Sequence, residues 1–104
     1  MALAGAREPL VDFLVDVVAK PESSSAASLV GRSERATAVT AALVNGAAGH
    51  ALDFDDAHMG MSGHPTVPVL PAVLALAEQR QADGKALLTA FVAGVELECR
   101  LGLL

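Results

Sequence analysis

A chain of 104 residues is long enough for about one small domain around one core. Its net charge of −5, with only seven scattered basic residues, excludes a nucleic-acid backbone as the main partner, because phosphate binding needs clustered Lys and Arg. Apolar residues make up 53% and aromatics 3%, with neither Trp nor Tyr, so the core is expected to be closely packed Ala, Val and Leu, which suits helices with small interfaces better than a β-sandwich.

The N-terminal MALAGAREPLVDFLV lacks the basic start and long apolar stretch of a signal peptide. From Glu8 to Lys20, Leu10, Val11, Leu14, Val17 and Val18 recur at helical spacing, and Pro9 is acceptable in a first turn. PESSSAAS then reads as a loop, and SLVG as a short extended piece. A second helix is expected from Ser33 or Glu34 to about Asp56, with small or apolar residues on both sides, as in a central helix packed on more than one neighbour. AHMGMSGHP is a glycine-containing loop. Pro68 or Pro71 opens a third helix reaching about Gln81, and Asp83 caps a fourth, from about Lys85 to Leu101. That last helix is expected to bury Leu87, Leu88, Phe91, Val92 and Val95. Its apolar end, RLGLL, suggests a truncated chain. The run from Val67 to Ala77 is too short and proline-broken to span a membrane, and the single Cys99 fits a reducing compartment, so a soluble cytoplasmic protein is expected.

Between Gly49 and Pro65 the sequence gathers Asp53, Asp55 and Asp56 with all three histidines, His50, His58 and His64. Placed in the last turn of the second helix, each aspartate would be disfavoured by roughly 0.3 to 1 kcal/mol against the carbonyl end of the dipole, so something must compensate. The three-residue steps His50–Asp53–Asp56 share one side of such a helix, while Asp55 points away and reads as a solvated or capping carboxylate. His64 precedes Pro65, which restricts its backbone. Two chemistries remain open on these residues. One is a divalent metal site, although the spacing matches neither H-E-x-x-H nor an EF-hand nor paired Cys. The other is an acid–base pair acting beside a carbonyl or carboxylate.

NGAAGHALDFDD, then HPTVPVLPAVLALAE, then DGKALLTAFVAGVELECRLG, resemble in order the helical domain of the MmgE/PrpD family, densely from Ala41 to Gly102. That resemblance implies an all-α, four-helix portion of a larger helical domain, the smaller α+β lid domain being absent. It implies lyase-type chemistry without metal or cofactor: a proton is removed or relocated beside a carboxylate of a small di- or tricarboxylate, as in 2-methylcitrate dehydration and related decarboxylation or epimerisation. Asp53, the first aspartate of DFDD, and His64, of the HP motif, match pocket positions and are the catalytic candidates; His50, Asp56 and His58 are the candidates for binding substrate. Ala57 stands where many members carry threonine. The resemblance further implies a homodimer or association with a lid-bearing chain, and little activity for this piece alone. The alternative is a non-catalytic helical remnant or dimerisation module, favoured by the apolar surface on both sides of Ala36 to Asp56.

Overall fold

The computed structural model describes residues 1–18 and 26–104; the loop expected over PESSSAAS lies, from Pro21 to Ser25, outside the described residues. The elements in order are α1 (Ala2–Gly5), α2 (Pro9–Val18), β1 (Ala27–Ser28), β2 (Arg35–Ala36), α3 (Ala38–His50), α4 (Thr66–Arg80) and α5 (Gly84–Leu101). The architecture is helical, as the composition demands, with one two-residue antiparallel ladder pairing Ala27 with Ala36 and Ser28 with Arg35. No helix among the described residues is long and apolar enough to cross a membrane.

α3 is the hub, packing on α1, α2 and α4, and α5 packs on the far side of α4. Small residues make the close approaches possible. A Cβ on Gly5 would run into the Ala48 carbonyl, so α1 lies backbone to backbone on α3. The buried core is correspondingly fine-grained: Val11 and Val15 from α2, Ala41, Val44 and Ala48 from α3, Ala75 from α4, with Leu29 and Ala27 beside them. Buried Asn45 is the polar exception. It accepts from Val30 N–H at 2.8 Å and donates to Ser28 C=O at 2.9 Å, which ties the strand segment to the hub and leaves neither amide group unpaired.

Three expectations change. The third helix opens at Thr66, before Pro68, and carries Pro71 inside it. The second helix starts later and ends earlier than its composition suggested. Arg35–Ala36 are extended, Thr37 is the N-cap, accepting from Thr40 N–H at 3.3 Å, and the helix stops at His50. α5 keeps its expected span, and Asp83 caps it by accepting from Ala86 N–H at 2.8 Å. It buries none of its residues fully, however, and Leu88 and Val92, expected in the core, are exposed. The helical stripe was real, but only one side of α5 has a neighbour.

Candidate functional site

The site is built where α3 ends. Ala51 N–H still reaches Ala47 C=O at 2.9 Å, and Asp53 N–H closes a turn on His50 C=O at 2.9 Å. Asp53 itself takes φ of 54°, a left-handed conformation that ends the helix without a glycine. Asp53, Asp55 and Asp56 therefore leave the helix altogether, and the shared helix side expected for His50, Asp53 and Asp56 does not exist. The dipole penalty is avoided by termination.

Each carboxylate then finds its own environment. Both Asp56 oxygens bind Thr66, which donates its N–H at 3.3 Å and its hydroxyl at 2.8 Å, and so cap the start of α4 from a distance. Asp53 is exposed. Asp55, read from the sequence as solvated, is the most buried of the three, its side chain 0% exposed. His50 Nδ1 lies 3.1 and 3.0 Å from its two oxygens, and His64 Nδ1 lies 3.3 Å from Oδ2, outside good hydrogen-bond geometry. Burial pushes the Asp55 carboxyl up. The His50 hydrogen bond, a backbone N–H and the charges of both imidazoles outweigh that and hold it below the ordinary aspartate value. The two rings meet edge to face, 5.1 Å between centroids.

The loop carrying His64 is fastened at both ends. His58 and Gly63 form an antiparallel bridge, with N–H to C=O distances of 2.9 and 3.4 Å, and Ser62 between them has φ of 54°. His58 Nδ1 accepts the Met61 N–H at 3.2 Å. Met61 in turn lies against α5, its sulfur 3.7 Å from Cys99 Sγ and its side chain filling the space that a Cβ on Gly102 would need. α5 thus positions the loop although it contributes little to the core.

His50, Asp55 and His64 open on a cleft of about 300 Å³ whose apolar wall is Met61, Val67 and Pro68. Glu98 reaches it from α5, with one carboxylate oxygen buried and without a hydrogen-bond partner among the described residues. His58 instead shares a neighbouring hollow of about 250 Å³ with His64. Among the described residues no Lys or Arg lines the cleft, and Arg100, two residues beyond Glu98, is paired with Glu96. His50, Asp53, Asp55 and His64 place donor atoms within 4.8 Å of one another, so Asp53 does join the cluster, from the loop. Sequence reasoning missed Asp55 and Glu98. For Asp55 the signal was present, since a carboxylate five residues after one histidine and nine before another has two partners in reach once the helix stops at His50.

A helical hub ending in an Asp/His cleft is the setting in which the family comparison gains meaning. The family model for the MmgE/PrpD N-terminal domain matches residues 1–104, and the chain belongs to that family. Among curated proteins, human cis-aconitate decarboxylase is 45% identical over 65 residues, which is 59% of this chain and 13% of that relative. The chain thus spans a small part of the length of the relative it matches. No solved structure matches.

Proposed function

We propose that this chain supplies part of the pocket of a lyase that acts, without metal, on small di- or tricarboxylates, by 2-methylcitrate-type dehydration or by a related decarboxylation or epimerisation. The observation that carries the reading is the buried Asp55 carboxylate lying against Nδ1 of both His50 and His64 at the wall of one cleft. In the dehydration form, His64 takes the proton beside a substrate carboxylate. The electron pair left on carbon forms the double bond as the carbon–oxygen bond to the hydroxyl breaks, and the proton His64 accepted is returned to that oxygen, which leaves as water. Asp53 orients His64 or the substrate. His50 and His58, on either side of His64, are placed to meet substrate carboxylates, while Asp56 serves the pocket by fixing the start of α4 through Thr66. A cleft bordered by Asp55 and Glu98, with no Lys or Arg lining it among the described residues, holds a polyanion only weakly through its imidazoles and needs cations from elsewhere for turnover, which is assigned to an assembly with a lid-bearing segment or a second copy.

The test adds 2-methylcitrate, cis-aconitate and a monocarboxylate to the purified chain, following the histidine ring resonances and the absorbance of the unsaturated acid. Shifts at His50 and His64 with the polycarboxylates, abolished by His64→Gln, are expected, with no turnover by the chain alone. Equal response to the monocarboxylate, or none to any acid, sinks the reading. A cation site is the second reading, favoured by the four clustered donors. Their 4.8 Å spread is looser than the roughly 4.2 Å that two ligands across a zinc or magnesium ion can span, and His50 Nδ1 is already turned to Asp55. A large thermal stabilisation by zinc, manganese or magnesium would reverse this preference.

A further inference from the structure

We propose that Asp55 is the positioning residue of the cleft: its buried carboxylate, hydrogen-bonded to Nδ1 of His50 and in charge contact with Nδ1 of His64, sets both rings as the Nδ1–H tautomer and leaves an Nε2 lone pair on each for chemistry.

An ionised carboxylate only accepts, so a neutral imidazole whose Nδ1 faces it must carry its proton there. Both Asp55 oxygens lie within 3.1 Å of His50 Nδ1, while Oδ2 lies 3.3 Å from His64 Nδ1, out of line for a hydrogen bond but close enough for the negative charge to favour the proton on that buried, otherwise unpartnered nitrogen. The side chain is shielded from solvent, whereas the His50 and His64 side chains are 55% and 37% exposed. Water can therefore reach the far edges of the rings but not the carboxylate between them. The remaining charged groups near the rings, Asp53 from the same connection and Glu98 from α5, are also acidic, so among the described residues no Lys or Arg competes for Asp55 in the cleft. His58 provides the contrast. Its Nδ1 accepts the Met61 N–H, so that ring must be the opposite, Nε2–H tautomer. The two histidines that border the cleft with Asp55 and the one that braces the loop are thus set in opposite states by their neighbours.

The consequence for His64 rests on the lyase reading, in which a base must present a lone pair to substrate. The tautomer itself does not, and it can be read with no substrate present. Long-range proton–nitrogen correlation spectra of the nitrogen-labelled chain, taken where the imidazoles are neutral, distinguish the two ring nitrogens. The expected result is a protonated Nδ1 and a bare Nε2 on His50 and His64, with the reverse on His58. In Asp55→Asn, whose amide can donate to Nδ1, the His50 and His64 signals shift toward the Nε2–H form and His58 stays as it was. A His64 ring that is Nε2–H in the unaltered chain overturns the proposal, as does a folded Asp55→Asn chain whose tautomers do not move. If Asp55→Asn fails to fold, the spectrum of the unaltered chain decides alone. Failure of the substrate experiment leaves this result standing, and failure here leaves the lyase reading without its positioning residue but otherwise intact.

Discussion

Asp55 shows how one side chain can differ from its sequence neighbours by three-dimensional placement alone. Its carboxyl is held below the ordinary aspartate value in the folded chain, so it stabilises the fold fully above that ordinary value, and the contribution is lost as pH falls through the lower native one. Asp55→Asn is therefore expected to be less stable than the unaltered chain at neutral pH, the gap closing in acid. Urea midpoints measured from neutral pH down through the carboxylate range check this, and a gap that is constant with pH would contradict it. Asp53 carries the opposite character, being exposed and in the left-handed region, where a non-glycine residue costs of the order of 1 kcal/mol.

At the level of elements, the approach of α1 to α3 depends on Gly5, because any side chain there meets the Ala48 backbone rather than a movable group. Gly5→Ala is expected to destabilise the chain by about 1 to 3 kcal/mol, the range for overpacking, read as a lowered denaturation midpoint with unchanged cooperativity. The helices were largely legible in the sequence. Val11, Leu14 and Val18 of the α2 stripe, the Asp83 cap and the small residues of α3 all point the right way, whereas Leu10 and Val17 of that stripe are exposed and Val15, outside it, is buried. The ends of α3 were not legible. From Ala36 to Phe54 only Gly46 and Gly49 disfavour a helix by propensity, and both lie within α3; the turn that follows His50 is fixed by tertiary partners, Asp55 between two imidazoles and Asp56 on Thr66. Those partners are loop and helix residues brought together only by the α3–α4 packing. The site was therefore legible as a list of residue types, and not as the arrangement that singles out Asp55 and brings in Glu98.

For the whole molecule, the asymmetry of α5 matters most. The helix packs one side on α4 and, near its end, on the Met61 loop, while Leu88, Val92, Leu97 and Leu101 remain between 59% and 64% exposed. Val39, Leu43 and Leu76 extend apolar surface onto α3 and α4. Single exposed leucines are ordinary, but Leu88 with Val92 and Leu97 with Leu101 are i, i+4 pairs and form continuous stripes. Covering such a surface returns about 25 cal/mol for each Å² of apolar area, enough to drive association when several side chains are covered together. The chain on its own is thus expected to self-associate with concentration, by size-exclusion chromatography with light scattering. Leu88→Glu with Val92→Glu should shift it toward monomer without loss of helix content, because neither side chain contributes to the buried core. A dilute-to-concentrated series that stays monomeric would show that these stripes do not associate, and would remove the second copy from the candidates for supplying the missing cations.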